Sequence, residues 1–327
     1  MSSLNRRHLL GAIAAAPLAG ALQGALAQAW PSKPVKLIVT FATGGGADFA
    51  GRSVGAQLAS QLGQPVVIEN RAGGGGLIGN DAAAKAAPDG HTLLLGAAGP
   101  LTVAPHLYAK VPYDPIKDLV PVAHIASTPF VLTVSPSVPV NNLGELIALA
   151  KSQPGRLTYG SSGTGGAPHL AGELFCKLAG VKMVHAPYKG LGPAISDLLG
   201  GHIQVLFADT GLVLQHIQAG KLKALAVTGA QRTPQLPAIA TLREAGLVTY
   251  QAGSWYGVLA PAGMSADLMN RINQEIRTAL GNADVQRQLL GQGMEPVAMS
   301  REQCAQLMRE DYDKWGRLIK EVGIKLD

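Results

Sequence analysis

Short apolar, β-branched runs alternate with stretches of helical spacing along most of this chain, and glycine clusters close the runs. Val35-Lys36-Leu37-Ile38-Val39-Thr40-Phe41 is such a run and ends at Gly44-Gly45-Gly46. Asp48 to Leu62 then has helical spacing and stops at Gly63. Pro65 to Glu69 reads as a second strand, followed by the glycine loop Gly73 to Gly76 and a helix from Leu77 to Ala87. Leu93-Leu94-Leu95 is a third strand, ending at Gly96-Ala97-Ala98-Gly99. A βαβαβ order with short connections demands parallel pairing and right-handed crossovers. Strands of near-continuous apolar character fit burial on both faces.

A second α/β unit follows, with strands at 131–134, 157–159, from 184, 205–207 and 225–227. Helical patterns cover 143–151, 169–179, 192–199 and 212–219, and Gly180 is placed to cap the second of them. After a strand at 256–260 the chain is helical. Ser265 caps a helix to Leu280, and Ser300 with Gln303 forms a capping box for a helix reaching about Val322. Loops at the carboxyl ends of parallel strands face the crevice where ligands bind. A glycine loop entering a helix N-terminus presents free N–H groups and a partial positive charge. Several such loops converging on one cleft make a site for an anion, most simply a carboxylate.

Composition narrows the class. Of 327 residues, 47% are hydrophobic and 15% charged, ample for a buried core and unlike a disordered chain. The net charge of +6 is scattered, with no basic run longer than Arg6-Arg7, so a nucleic-acid partner is not expected. Arg6-Arg7 precede an apolar stretch, Leu9 to Leu26, that Pro17 and Gly20 interrupt and Ala25-Leu26-Ala27 closes. That pattern predicts a signal peptide over 1–27, cleaved near Ala27, and an exported, soluble mature chain from Gln28. Asn5 to Leu10 also resembles a twin-arginine export signal. Cys176 and Cys304 each fall in a helical pattern and are expected as free, buried thiols. No CxxC or Cys/His cluster is present, so neither a metal nor a cofactor is expected.

Nucleotide and catalytic signatures fit poorly. Gly160-Ser161-Ser162-Gly163-Thr164 fails the nucleophile elbow because Thr164 stands where its last glycine belongs. Gly74 to Gly79 matches G-x-G-x-x-G, yet no acid ends the next strand to take a ribose. His169 and Glu173 share a helix face without an apparent third metal ligand. Asp48 falls in the first turn of its helix, where a structural role is the default. Asp209 lies just past the strand 205–207, hence either at the crevice or capping the helix at Leu212. The alternative from another class is a secreted hydrolase of a carboxylated substrate, using Ser162 and His169.

Phe41-Ala42-Thr43-Gly44-Gly45-Gly46-Ala47-Asp48 with Arg52 resembles the first-loop motif of the Bug family, the extracytoplasmic receptors of tripartite tricarboxylate transporters. Further motifs follow in the family's order: Glu69-Asn70-Arg71-Ala72-Gly73, Pro88-Asp89-Gly90, Tyr159-Gly160-Ser161-Ser162-Gly163 with His169, Pro187-Tyr188-Lys189-Gly190, and Trp255-Tyr256-Gly257. The resemblance covers essentially the whole mature chain.

The resemblance implies a two-lobed periplasmic-binding-protein fold, each lobe a mainly parallel sheet flanked by helices. Lobe one would be 28–127 plus 252–327, lobe two 128–251, with the ligand cleft between them. It also implies a non-catalytic receptor that closes on a small carboxylate and hands it to transporter membrane subunits or a sensor kinase; a monomer is expected because the sequence shows no sustained heptad or interface pattern. One carboxylate would be held by Phe41, Thr43, Gly44, Gly45 and Asp48. Donors on the second lobe would be Ser161, Ser162, Thr164, Gly165 and His169, with Gly75, Ala97, Ala98 and Gly99 completing the wall. Two departures stand out. Gly96-Ala97-Ala98-Gly99 replaces the Ser or Thr common in relatives, and Ala208 intervenes before Asp209. If Asp209 faces the cleft, an amino-acid ligand becomes possible. Asp209→Ala is then expected to spare simple dicarboxylates and to weaken an amino-acid ligand.

Overall fold

β1 (Val35–Val39) feeds its glycine turn into α1 (Gly46–Leu62), and Gly63 ends that helix with φ 63°, the left-handed conformation that lets its N–H return to Ala59. In this computed structural model, residues 30–188 and 190–324 are described. The signal peptide expected over 1–27 and Lys189 lie outside them. The first half continues with β2 (Val66–Asn70), α2 (Leu77–Ala84) and β3 (Thr92–Ala97). A π-helical turn (Gly99–Val103), α3 (Ala104–Leu107) and β4 (Leu119–Thr128) follow. β5 (Phe130–Val134), α4 (Leu143–Ser152), β6 (Thr158–Ser161), α5 (Ala167–Ala179), β7 (Val184–Pro187), α6 (Leu191–Leu199), β8 (Val205–Asp209), α7 (Thr210–Gln218) and β9 (Lys223–Val227) form the second half. The chain returns through β10 (Ser254–Pro261), α8 (Ala266–Leu280), α9 (Ala283–Gly291), β11 (Glu295–Pro296) and α10 (Arg301–Val322).

Two sheets result, ordered β11-β4-β10-β3-β1-β2 and β7-β6-β8-β5-β9. The two-lobed α/β class expected from sequence holds, with sheets that are mixed. β1 pairs parallel with β2 and β3, and β6 with β7 and β8, as crossover helices require. β10 and β5 run antiparallel to their neighbours. Both enter from the other sheet, so no crossover helix dictates their direction. β4 and α9 have no counterpart in the sequence reading. Pro121 breaks the apolar run of β4, and the sheet accommodates it beside a register shift against β10. α9 buries only Val285 and Leu289.

Each sheet has its own core, and α10 joins them. Near its start, Met308 packs with Leu94 and Leu259 of the first sheet. Near its end, Trp315, Leu318 and Ile319 share a cluster with Phe130, Tyr159 and Phe175 of the second half. Glu321 pairs there with Lys177 of α5. α10 also grips α3: the His106 ring fills a notch over Gly316, where a Cβ would meet it at 2.6 Å, and packs on Tyr312 at 4.2 Å between centroids. Cys176 and Cys304 are both free thiols, the second buried.

Candidate ligand-binding site

Helix starts define the site. Four of them reach one cleft of about 670 Å³ between the sheets: α1 at Gly45, α5 at Gly166, α6 at Gly190 and α7 at Asp209. None of the four has a side-chain cap. Elsewhere, α4, α8, α9 and α10 are capped by the side chains of Asn142, Ser265, Asn282 and Ser300. The first N–H groups of a helix lack intrahelical partners and normally find a side chain. At the cleft they are left for something else, and an anion satisfies them best.

The first loop puts Phe41 and Gly45 on the cleft wall. Thr43, Gly44 and Asp48 stand behind it and brace it. Asp48 is buried and accepts from Gly44 N (3.0 Å), Arg52 Nε (3.0 Å) and Asn70 Nδ2 (3.0 Å). Asn70 Nδ2 also donates to Phe41 O, and Thr43 Oγ1 donates to Asn70 Oδ1. Arg52 above all, then the Gly44 and Asn70 donors, hold the Asp48 carboxyl down at about 2, so it remains an ionised strut at every physiological pH. Of the contacts expected on this loop, the structure thus places Thr43, Gly44 and Asp48 off the cleft lining, with the Thr43 hydroxyl, the Gly44 N–H and the Asp48 carboxylate engaged by the protein.

Gly75, Ala97 and Gly99 line a second wall, whereas Ala98 is buried behind it. This wall continues along the π-helical turn and α3 through Val103, Leu107 and Tyr108. Asn80 donates to Tyr113 Oη (2.8 Å), which donates to Pro100 O (2.6 Å), fixing the turn from below. π-turns of this kind recur at functional sites.

On the second lobe, Ser162, Thr164 and Gly165 line the cleft. Ser161 and His169 are buried and act on the loop from behind. Gly165 N donates to His169 Nδ1 (2.9 Å), so that nitrogen is an acceptor. Ser161 Oγ lies 2.7 Å from His185 Nε2 and accepts from Gly163 N. The His169 and His185 rings stack at 3.7 Å, on the buried ring of Tyr159. Burial, reinforced by His169, lowers the His185 pKa to about 4, so the His185 ring is neutral at pH 7. Among the described residues no hydrogen bond joins Ser162 to His169; on this loop it is Ser161, buried behind the cleft wall, that meets a histidine. His169→Ala should loosen this loop and weaken carboxylate binding about tenfold, the worth of one well-placed hydrogen bond. His169→Gln, which can still accept, should recover part of that loss in calorimetry; equal affinity for all three proteins would remove the support role.

Asp209 faces the cleft, partly buried, and makes no capping hydrogen bond to α7. Burial raises its pKa from 3.8 to about 6. Tyr256 of β10 lines the same wall, and its phenol is pushed up by burial and by the Asp209 charge. Ser254, Tyr256, Phe130, Leu191 and Leu212 also line the cleft and were not among the expected site residues. Trp255-Tyr256-Gly257 stood out as a motif, but nothing in sequence says which of the three side chains turns inward.

The comparisons fit this geometry. The family model for the tripartite tricarboxylate transporter family receptor matches residues 50–324. Protein BugT of Bordetella pertussis is 38% identical over 301 residues, 92% of either chain. Among solved structures, R. palustris Rpa4515 with adipate is 34% identical, with TM-score 0.78, over 90% of this chain and 99% of that one. MatC from Rhodopseudomonas palustris with bound malate is 32% identical, with TM-score 0.72, over 88% and 99%.

Proposed function

Since this chain belongs to the tripartite tricarboxylate transporter receptor family, we propose that it is a periplasmic solute-binding protein that captures a small carboxylate and leaves it chemically unchanged. The observation that carries the reading is the contrast in helix capping: side chains cap α4, α8, α9 and α10, away from the cleft, and none of the four helices α1, α5, α6 and α7 that open onto it. A carboxylate bridging α1 on one side and α5 on the other would satisfy both sets of N–H groups through charge-assisted bonds. No buried arginine is needed, so the desolvation cost stays modest. Relatives of similar sequence hold adipate and malate, which supports the solute class.

The mechanism is hinge closure. A solute touching both walls contacts the closed state more extensively than the open one and shifts the population by that difference. The lobes would be 28–127 with 252–327, and 128–251, moving about the passages from β4 to β5 and from β9 to β10. The chain would be exported, lose 1–27, act as a monomer, and deliver its solute to transporter membrane subunits or a sensor. Hydrolysis through Ser162 and His169 finds no support in a geometry that directs His169 Nδ1 to Gly165.

The test is a melting screen of mature protein, stripped of carried-over solute by unfolding and refolding, against mono- and dicarboxylates, amino acids and aromatic acids. A solute at about 100 times its dissociation constant adds roughly 2.7 kcal/mol of stability. A raised midpoint, a smaller radius of gyration by X-ray scattering, and unaltered solute on release are expected. No response to any carboxylate, or a solute released in altered form, would overturn the reading.

A further inference from the structure

Beside the cleft the two halves of the chain meet backbone on backbone. Gly211 stands in the first turn of α7, between Asp209 and Leu212 of the cleft lining. It faces the turn that carries α9 into β11. A Cβ at Gly211 would stand 2.7 Å from Gln292 O, and one at Gly293 would stand 2.9 Å from Gly211 N and 3.2 Å from Thr210 Cβ. Gly211 has no left-handed backbone to call for glycine, and alanine would serve its helix better. What excludes a side chain there is the facing turn. That turn is firmly tied: Gln292 N and Met294 N both donate to Leu289 O, and Gly293 N donates to Leu290 O. β11 then pairs with Ala126 and Ser127 of β4, just ahead of the passage at Pro129. Alongside, Gln235 Nε2 donates to Leu290 O. Gly211 and Gln235 fall within the second lobe as assigned above, and Leu290 to Gly293 within the first.

We propose that Gly211 and Gly293 are the stop on which the lobes come to rest when the cleft closes, with Gln235 fastening the closed arrangement. This rests on the carboxylate-binding, hinge-closing reading above and adds to it positioning residues that meet no solute. Asp209 and Leu212, on either side of Gly211, line the cleft, so the pair lies on the cleft side of the passages between lobes. Its contact forms as the walls approach and parts as they separate. Two glycines let the backbones touch, and that sets the narrowest gap between the α1 and α5 helix starts. A methyl group at either position would meet main-chain atoms that cannot swing aside, and closure would halt early. The helix-start donors would then stand too far apart to share one carboxylate, since a hydrogen bond weakens steeply with distance and angle. The open state has room for the methyl. Its cost therefore falls on the closed state alone and is read as affinity.

The experiment measures binding of adipate, malate, succinate and benzoate to the mature protein at pH 7.5, by calorimetry and stopped flow, with ligand-free melting curves beside them. Gly211→Ala should weaken every acid that binds wild type by roughly 10- to 100-fold, the range of an overpacked contact. The loss should lie in faster release, because capture begins from the open state. The ligand-free midpoint should not fall, and the compaction seen by X-ray scattering on binding should shrink. Gln235→Ala brings no added bulk and reads the same contact: a loss of about 2- to 10-fold is expected, the worth of one neutral hydrogen bond. Gly291→Ala, one residue from Leu290 with open space at its Cβ, should bind as wild type does. Wild-type affinity in Gly211→Ala, or a ligand-free midpoint lowered together with the affinity as a merely structural clash would do, overturns the inference and leaves the carboxylate reading standing. Failure of wild type to bind any of the four acids strikes the carboxylate reading itself, and the inference with it.

Discussion

Asp209→Asn should make the ligand-free protein more stable at pH 7.5, by up to about 3 kcal/mol. The folded protein raises this carboxyl from 3.8 to about 6, solely through burial. Between those two values the folded state holds a proton that the unfolded chain has released. Stability therefore falls as pH rises from about 4 to about 6, and the full deficit persists above that window. Asparagine has no charge to desolvate, so the advantage of the variant should be complete at pH 7.5 and absent below pH 4. Paired melting curves at the two pH values measure it. An unchanged midpoint at pH 7.5 would mean that the carboxylate already has a partner in the empty protein. A group that faces the cleft thus weakens the unoccupied fold, the usual relation between binding sites and stability.

Gly172→Ala should cost about 3 kcal/mol and disturb the site as well. Gly172 lies on α5 directly over Tyr159, which is wholly buried. A Cβ at that position would stand 2.6 Å from Tyr159 Cδ2 and 2.8 Å from Cζ. The ring cannot retreat freely, because its other face stacks on His185 at 5.0 Å and through it on His169. His169 in turn holds the N–H of Gly165 on the cleft wall. The added methyl is thus transmitted along ring, stack and loop, and both the melting midpoint and the affinity for a carboxylate should fall. Combining it with Tyr159→Leu, which vacates the space, should restore part of the affinity relative to Gly172→Ala alone. Wild-type stability in the single variant would contradict the packing described for Tyr159.

Much of the scaffold was readable because periodicity and caps are local. The Ser300 and Gln303 capping box and the left-handed ends at Gly63 and Gly180 lie where sequence places them. β4 escaped because Pro121 and His124 break its apolar run, and a bulged pairing with β10 tolerates what a regular strand would not. At the site, the loops were legible and the roles of their side chains were not. Gly45 and Gly165 reach the cleft through backbone, which a glycine-rich strand end foretells. Ser161, Asp48 and His169 are polar residues of the same loops, yet they point away and hold the turns in shape. Spacing along a chain does not say on which side of a turn a side chain emerges. The wall beyond Gly99, from Pro100 to Tyr108, was invisible for another reason: a π-turn running into a four-residue helix has no period to detect.

That wall is anchored near its own place in the chain at the turn, through Tyr113, and far from it at α3. α3 leans on α10 through His106 seated over Gly316, and the far end of α10 is embedded in the second core. The breadth of the cleft is thereby set more than 200 positions downstream of the residues that bound it. Selectivity in such a chain can drift through its last helix, where no residue meets the solute, and a substitution at Gly316 would resize the chamber while every group that greets the solute stays as it was.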